Sequence, residues 1–347
     1  MKRILLILNI VLIFILSLCS INLQNVEAEM INSNAIEDWK SNAADINNAG
    51  QVVGWSSNAD GVKQAYMYNY NNDTILDLGT HGDDFSVALG INTSGQVVGY
   101  SKIGENIKRA FLYDGEKVIE IGTLGGNYSF AFAINKSGQV AGYSYNPEGQ
   151  KRAFLYENGV MQDLGTLGGI YSVATDINDS GQVVGYSNTE TGEVHAFLYD
   201  NNTMMDLGTL GGDVSMANAI NNRGQIIGWS GNFYEERHAF LYENGSMKDI
   251  GTLGGVYSDA ADINDSGVIV GHSYDGFGEI HAYVYDNGIM KDLGTLGGIS
   301  SYAFSINNNG QIVGRAMTSS GEHHAFSYNQ GVMRDLDIFA GYFSTEY

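Results

Sequence analysis

Residues 172–212 read SVATDINDSGQVVGYSNTETGEVHAFLYDNNTMMDLGTLGG. β-Branched and aromatic residues form four short runs in this stretch, and Asn, Asp, Ser and Gly fill the positions between the runs. This alternation predicts four strands joined by turns, because the turn residues tolerate or stabilise the backbone angles that reverse a chain. The predicted strands cover residues 172–178, 182–187, 195–199 and 204–209, and a Leu-Gly-Gly link follows.

The same pattern occurs seven times and covers residues 41–338. Each copy contains an Ile-Asn dipeptide, at Ile46-Asn47, Ile91-Asn92, Ile134-Asn135, Ile177-Asn178, Ile220-Asn221, Ile263-Asn264 and Ile306-Asn307. The first spacing is 45 residues and the other five are 43. A Ser precedes each Asn by six residues and an Ala by four, as Ser172 and Ala174 precede Asn178. Internal repetition of this kind decides the fold.

Four strands in about 43 residues is the size of a β-propeller blade. We therefore expect an all-β chain that forms a seven-bladed β-propeller of four-stranded antiparallel blades, as one domain over residues 29–347. A β-solenoid is the alternative architecture, although its coils are usually shorter and need no fixed copy number. The Gly repeated in the second strand, such as Gly185, is expected where neighbouring blades approach closely.

The N-terminus predicts export. Lys2 and Arg3 precede an apolar run from Ile4 to Leu18, and small residues at Val26 and Ala28 provide a cleavage pattern. Residues 1–28 are therefore interpreted as a secretory signal peptide, which makes the mature chain secreted and free of membrane insertion. An uncleaved anchor that holds the chain at the cell surface and a lipoprotein processed at Cys19 are the alternatives.

Composition excludes several classes of function. The net charge of −22 disfavours nucleic acids and anionic lipids as partners and fits cationic partners or neutral glycans. Cys19 is the single cysteine and lies in the signal segment, which excludes thiol catalysis and thiolate metal sites from the mature chain. We expect a monomer without a cofactor.

Two sets of repeat positions are candidate binding residues. After the Gly-Gly link one position is often aromatic, and rings there are candidates for stacking on sugars or anchoring a protein, unless they simply pack between blades: Phe85, Tyr128, Tyr171 and Tyr257. Near the end of the first strand, three repeats place a carboxylate on the strand that lines the axis, where it is a candidate for meeting a cation or a basic partner: Asp45, Asp176 and Asp262. The string from Asp176 to Gly181 hints at a calcium loop, but it lacks the later acidic ligands, and turn chemistry explains it better.

Histidines do not predict a metal site shared between repeats. Four of them occupy one position of the third strand in different repeats: His195, His238, His281 and His324. Equivalent positions of different blades lie too far apart for one ion with bonds of about 2 Å. We therefore predict no metal.

The third-strand motif resembles a named repeat. His195-Ala-Phe197, His238-Ala-Phe240 and His324-Ala-Phe326 occur with Asp-Leu-Gly-Thr-Leu-Gly-Gly at 206–212 and 292–298. The combination is similar to the HAF repeat family of bacterial extracellular proteins, across all seven repeats. Gln64, Arg109 and Arg152 replace the His, and Tyr66 and Tyr283 replace the Phe. The resemblance implies export and a repeat architecture and assigns no activity.

The sequence favours a binding or scaffold protein over an enzyme. No repeat carries a long insertion, and no Ser-His-Asp or paired-carboxylate constellation departs from the repeat pattern. We expect a secreted module that recognises a glycan or a protein partner through the face that carries the longer loops. A passive structural repeat protein of the cell surface and a polysaccharide-active hydrolase or lyase are the alternatives.

Overall fold

The computed structural model of the chain describes residues 41–57, 61–70, 72, 74–79, 85–104 and 107–336. These residues form 28 β-strands, four from each sequence repeat. The described residues hold no helix that is long and apolar enough to cross a bilayer. The predicted signal peptide, residues 1–28, lies outside this part of the chain.

The strands occupy equivalent positions in every repeat. The first strands are β1 (Ser41–Ile46), β5 (Ser86–Ile91), β9 (Ser129–Ile134), β13 (Gly168–Ile177), β17 (Gly211–Ile220), β21 (Gly254–Ile263) and β25 (Gly297–Ile306). The second strands are β2 (Gln51–Ser57), β6 (Val97–Lys102), β10 (Val140–Tyr145), β14 (Val183–Thr189), β18 (Ile226–Asn232), β22 (Ile269–Asp275) and β26 (Ile312–Thr318). The third strands are β3 (Lys63–Asn69), β7 (Lys108–Tyr113), β11 (Lys151–Glu157), β15 (Val194–Asp200), β19 (Arg237–Glu243), β23 (Ile280–Asp286) and β27 (His323–Asn329). The fourth strands are β4 (Thr74–Gly79), β8 (Val118–Glu120), β12 (Val160–Asp163), β16 (Thr203–Asp206), β20 (Ser246–Asp249), β24 (Ile289–Asp292) and β28 (Val332–Asp335).

Within each repeat the four strands pair in chain order and antiparallel, so the all-β prediction is confirmed. Single parallel bridges connect some repeats, for example between Val194 of β15 and Val214 of β17. This order places the turns between strands one and two, and between strands three and four, at one end of each sheet. The loops between strands two and three and the Leu-Gly-Gly links lie at the other end, which we call the looped end.

A β-bulge interrupts every first strand at the same place. In β13 the register against β14 shifts between Ala174 and Asp176, so Ala174 faces Gly185 while Asp176 faces Val184. A Cβ atom on Gly185 would lie 2.0 Å from the carbonyl oxygen of Val173. The expectation that Gly185 makes room for a neighbouring blade was therefore wrong, because the close approach is to the bulged strand of its own sheet.

The hydrophobic core lies between consecutive repeats. One cluster combines Ala141 and Ala153 of the third repeat with Ile177, Val183 and Phe197 of the fourth. Another combines residues of the first and last repeats: Ala43, Ile46, Val52, Tyr66, Tyr68, Val313, Ala325 and Leu336. Each sheet therefore buries both faces against neighbours, which explains why its strands do not alternate cleanly between apolar and polar residues.

The Ser that recurs in each first strand joins neighbouring repeats. Ser172 Oγ accepts a hydrogen bond from the backbone N–H of Ala153 in the preceding repeat at 2.9 Å and donates to the carbonyl of Gly165 at 2.5 Å. Ser41 occupies the same place relative to Ala325 of the last repeat, at 3.4 Å. Side-chain contacts thus join the first and last repeats. Each set of four paired strands comes from one contiguous segment of the chain.

Candidate functional site

The three predicted axial carboxylates follow the bulge of their strands. Asp45, Asp176 and Asp262 each stand immediately after the extra bulge residue. Burial raises the pKa of all three carboxyl groups, and the charges of Asp262 and Asp45 raise that of Asp176 further, as the charge of Asp45 does for Asp262. The structure therefore brings these three residues to a common space at the centre.

Each of these carboxylates accepts backbone hydrogen bonds from two repeats. Asp176 Oδ1 accepts the N–H of Ile177 at 2.7 Å, and its Oδ2 accepts the N–H of Ile220 in the next repeat at 2.8 Å. The equivalent bonds join Asp45 to Ile46 and Ile91, and Asp262 to Ile263 and Ile306. Three carboxylates thereby satisfy six inward N–H groups, which accounts for their positions without a ligand.

Ser305 joins two of the carboxylates. Its Oγ lies 2.7 Å from Asp45 Oδ1 and 2.8 Å from Asp262 Oδ2. A hydroxyl has one proton, so it donates to only one of them, and the second contact is a hydrogen bond when the other carboxyl carries a proton. Burial raises the pKa of Asp262 to about 6, in agreement with this shared-proton geometry.

We expect Asp262 to make the fold more stable at mildly acidic pH. A folded-state pKa above that of the unfolded chain means that the native state binds the proton more tightly, so this stabilisation is full below about pH 4 and is lost as the pH rises through 6. Relative to Asp262→Asn, the unfolding free energy of the parent chain should rise by roughly 1 kcal/mol between pH 7 and pH 5. Urea denaturation of both proteins at each pH measures this difference, and a difference that does not change with pH contradicts the prediction.

The Asn of each Ile-Asn dipeptide forms a ring of hydrogen bonds at the turn end. Each Nδ2 donates to the backbone carbonyl of the equivalent Asn in the next repeat, in the order Asn47, Asn92, Asn135, Asn178, Asn221, Asn264, Asn307 and back to Asn47. The ring surrounds a cavity of about 180 Å³, which Asp176 and the Ile side chains also line. Asn178 Oδ1 accepts the N–H groups of Ser180 and Gln182, so turn chemistry occupies the atoms that a calcium loop would use.

The four predicted aromatic binding residues lie at the looped end and are half-buried. Each ring contacts an aromatic ring on the second strand of its own repeat: Phe85 with Tyr100 (centroids 5.7 Å apart), Tyr128 with Tyr145 (5.5 Å), Tyr171 with Tyr186 (6.4 Å) and Tyr257 with Tyr274 (5.4 Å). They therefore belong to aromatic groups within the sheets, and part of each ring remains accessible to a ligand.

Cations from the third strands stack on these aromatic groups. In four repeats the first residue of the third strand is a Lys or Arg whose charged group lies over a second-strand ring: Lys63 over Trp55 (3.9 Å), Lys108 over Tyr100 (5.5 Å), Lys151 over Tyr143 (5.7 Å) and Arg237 over Trp229 (3.8 Å). The looped end therefore carries positive charge on aromatic faces although the chain as a whole is acidic.

The repeat symmetry breaks in the last two repeats. His272 and Arg315 occupy the second-strand position where the other repeats have an aromatic residue: Trp55, Tyr100, Tyr143, Tyr186 and Trp229. Asp259 stands opposite His272 in the register, at a position that is uncharged in the other repeats. We call Arg237, Asp259, His272 and Arg315 the polar cluster.

The polar cluster is held together by buried contacts. Asp259 is 7% exposed and accepts a hydrogen bond from Asn218 Nδ2 at 2.7 Å and another from Arg237 Nη2. The ring of His272 lies 4.9 Å from that of Tyr302, and Arg315 Cζ lies 4.3 Å from the same ring. A chain of stacked groups thus crosses three repeats at the looped end.

The electrostatics of the polar cluster favour an anion. Burial lowers the pKa of His272 to about 4, so the imidazole is neutral near pH 7, and Arg237 and Arg315 add to this lowering while Asp259 opposes it. Burial lowers the pKa of Arg315 to about 10, so this guanidinium stays charged near pH 7. Two positive charges and one negative charge therefore meet in a partly desolvated site.

Three buried polar atoms of this region have no hydrogen-bond partner among the described residues. They are Trp229 Nε1, Arg237 Nε and His272 Nδ1. Leaving a buried donor or acceptor without a partner costs about 1–3 kcal/mol. Protein atoms enclose all three, so they lower the stability of the cluster and are not themselves contact points for a ligand.

Sequence reasoning missed the polar cluster. Arg237, Asp259 and His272 lie on three different strands, and their proximity depends on how neighbouring repeats pack. The available signal was the replacement of an aromatic residue by His272 or Arg315 at one repeat position. The aromatic residue Tyr257, which the sequence did single out, borders the cluster, with Arg237 Cζ 4.8 Å from its ring.

Solved structures show what this arrangement of sheets is. The β-propeller domain of the Trilobed protease from Pyrococcus furiosus, described as having an open velcro topology, matches 85% of this chain and 97% of its own at a TM-score of 0.62 and 11% identity. The chain folds as a β-propeller. In such a fold a four-stranded antiparallel sheet is called a blade.

Two peptidases contain a similar fold. The acylaminoacyl peptidase of Pyrococcus horikoshii matches 87% of this chain and 54% of its own, at a TM-score of 0.58 and 9% identity. A puromycin-hydrolyzing peptidase of Mycobacterium tuberculosis matches 83% and 51%, at a TM-score of 0.57 and 11% identity. This chain spans about half the length of either peptidase, and identities this low show the fold alone.

The family comparison corrects the resemblance drawn from the third-strand motif. The family profile that matches is described as "Protein of unknown function (DUF3466)" and covers residues 127–253, less than half of the chain. The assignment to the HAF repeat family was wrong, because the family profile that matches is a different one. No curated protein matches the sequence.

Proposed function

We propose that this chain is a secreted, monomeric binding module, built as a seven-bladed β-propeller, that holds a carboxylate-bearing saccharide at its looped end. The blade count is supported by the hydrogen-bond ring that passes through seven Asn residues and returns from Asn307 to Asn47. Export is supported by the apolar segment from Ile4 to Leu18. The ligand is assigned from the polar cluster.

The observation that carries the proposal is a pair of guanidinium groups on aromatic rings, Arg237 over Tyr257 and Arg315 over Tyr302, with all four residues partly exposed. Arg237 bonds Asp259, and Arg315 hydrogen-bonds Tyr302 and lies over the rings of Tyr302 and Phe304 at 4.3 and 5.5 Å. A guanidinium over aromatic faces is a good receptor for a carboxylate on a ring-shaped polar molecule, because the rings stack on the sugar while the guanidinium pairs with the anion.

The proposal is for binding without turnover. Glycoside hydrolysis uses a pair of carboxylates, whereas the polar cluster contains one, Asp259, which already accepts hydrogen bonds from Asn218 and Arg237. A ligand that binds and is released unchanged separates this proposal from a hydrolase or lyase, which would consume it.

The test measures binding of the whole chain to an array of acidic and neutral oligosaccharides. Arg315→Tyr removes the guanidinium and installs the residue that stands at this position in other blades, for example Tyr186. Loss of a charge-assisted hydrogen bond should weaken binding of a uronate-containing saccharide by about 10- to 100-fold. Arg152→His is the matched control, since it removes a guanidinium in the third blade and installs the residue found at His195, and it should bind as the parent does.

Two further variants separate this site from a ring of equivalent aromatic sites. Tyr257→Ala should weaken binding because Tyr257 borders the polar cluster, whereas Tyr171→Ala should leave it unchanged. Equal loss in both variants would instead support sites in several blades. Parent protein that binds no saccharide, or that binds neutral and acidic saccharides equally, contradicts the proposal.

A protein partner is the second candidate, on the basis of exposed aromatic loops. Phe233 and Tyr234 are each 83% exposed in the loop after β18, and Phe277 is 95% exposed in the loop after β22. Exposed aromatic residues are typical anchors of protein interfaces. If Phe277→Ser abolishes binding to cell-surface material while Arg315→Tyr does not, this candidate replaces the saccharide.

A further inference from the structure

The loop after β22 brings three metal-ligating side chains together. Asp275 ends β22, Glu279 lies in the loop, and His281 is the second residue of β23. The ligand atoms of all three lie within 4.8 Å of one another; Asp275 and His281 are partly buried, and the side chain of Glu279 is 47% exposed. They belong to a single blade, unlike the histidines of different blades considered from the sequence.

The imidazole of His281 is oriented as it is in metal sites. Its Nδ1 lies 2.7 Å from Asp292 Oδ2 on the neighbouring strand β24. A carboxylate at this distance holds the hydrogen on Nδ1, so Nε2 presents its lone pair. That Nε2 atom lies 3.6 Å from Glu279 Oε2, which is too far for a hydrogen bond. The carboxylate of Asp275 lies in the same group of ligand atoms.

The carboxylate of Asp275 is also held in place. Its Oδ1 accepts the N–H groups of Phe277 at 2.8 Å and Glu279 at 2.9 Å, which leaves Oδ2 available. Two carboxylates and an imidazole lone pair therefore converge, and a cation between them relieves the repulsion.

Three other blades provide an internal comparison. Each has the same His, a Glu two residues before it, and an Asp eleven residues after it that bonds its Nδ1: Glu193, His195 and Asp206; Glu236, His238 and Asp249; Glu322, His324 and Asp335. At the position of Asp275, however, these blades have Thr189, Asn232 and Thr318. The paired His and Asp therefore support the sheet in all four blades, and the third ligand occurs in one of them.

We propose that Asp275, Glu279 and His281 bind a divalent transition-metal cation of the zinc class, with Asp292 as the residue that orients the imidazole. One nitrogen and two oxygen ligands suit this class, and a fourth position remains for water or for an oxygen of a bound molecule. The ion would fix the loop that carries the exposed Phe277. The proposal does not depend on the saccharide site.

Zinc titration of the full chain, followed by competition with a chelating dye, tests the proposal. We expect one zinc ion per chain, and we expect Asp275→Thr to weaken its affinity by roughly 100-fold because a direct ligand is lost. Asp292→Asn should weaken it by about 10-fold, the usual effect of removing an orienting partner. Thr is the native residue at this position in two other blades, so the first variant should fold.

The reverse substitution provides the matched control. Thr189→Asp should create a second site of comparable affinity, because Glu193, His195 and Asp206 are already in place. Four ions per chain in the parent, or unchanged affinity in Asp275→Thr, would show that the paired Glu and His of every blade bind zinc without the third ligand, and would overturn the proposal. Absence of any zinc binding at micromolar concentration would overturn it as well.

Discussion

Gly185→Ala should destabilise the protein by about 4 kcal/mol or prevent it from folding. The added Cβ would lie 2.0 Å from the carbonyl oxygen of Val173 and 2.9 Å from Ala174 Cα, and both atoms belong to the backbone of the adjacent strand. Neither atom can move away without opening the bulge. The same close approach recurs in every blade, at Gly54, Gly99, Gly142, Gly228, Gly271 and Gly314.

Urea denaturation followed by circular dichroism measures this effect. Gly276→Ala is the control, because a Cβ there would meet no atom within 4 Å and the backbone does not have a positive φ. We expect the unfolding free energy of the control to lie within about 0.5 kcal/mol of the parent's. If Gly185→Ala unfolds at the parent's urea concentration, the bulge is not the constraint that selects glycine.

Asn178→Asp should cost about 3 kcal/mol of stability. The Oδ1 acceptor of Ser180 and Gln182 is kept, but the Nδ2 donor to the carbonyl of Asn221 and to Gln182 Oε1 is replaced by an oxygen. The buried carbonyl of Asn221 and the partly buried Gln182 Oε1 would then face a negative charge in the hydrogen-bond ring. The loss should be smaller at low pH, where the new carboxyl is protonated and again donates a hydrogen bond.

Asn201→Asp is the matched control for this prediction. Asn201 is exposed in the turn between β15 and β16, and its positive φ of 49° is one that Asp also tolerates. The control should change stability by less than about 0.5 kcal/mol. Equal stability of the two variants in urea denaturation would show that the Asn ring does not hold neighbouring blades together.

Much of the fold was predictable because it follows from local pattern. The second strand predicted at 182–187 is β14, Val183–Thr189, and the third predicted at 195–199 is β15, Val194–Asp200. The first strand extends further than predicted. Gly168 to Tyr171 join β13 because they pair with the end of β14 and contact the preceding blade, which a Gly-rich segment does not reveal by itself.

The candidate site was predictable only in part. The sequence singled out Tyr257 and Asp176 by their repeat positions, and the structure shows that Tyr257 borders the polar cluster whereas Asp176 bonds the backbones of two blades. Arg237, Asp259 and His272 were missed. Their contacts cross from one blade to the next, and no local sequence pattern reports such contacts.

By itself, the sequence determined the all-β class, the repeat unit and the strand positions. Turns and strands follow from the backbone preferences of residues that lie within about ten positions of one another. Tertiary structure alone decided what each repeated residue does. Packing of neighbouring blades brings the carboxylate of Asp176 to the backbone of Ile220 and that of Asp259 to Arg237, over separations of 44 and 22 residues. Such contacts form only once the sheets are assembled, since the desolvation and hydrogen bonding that define them arise at the surfaces between blades.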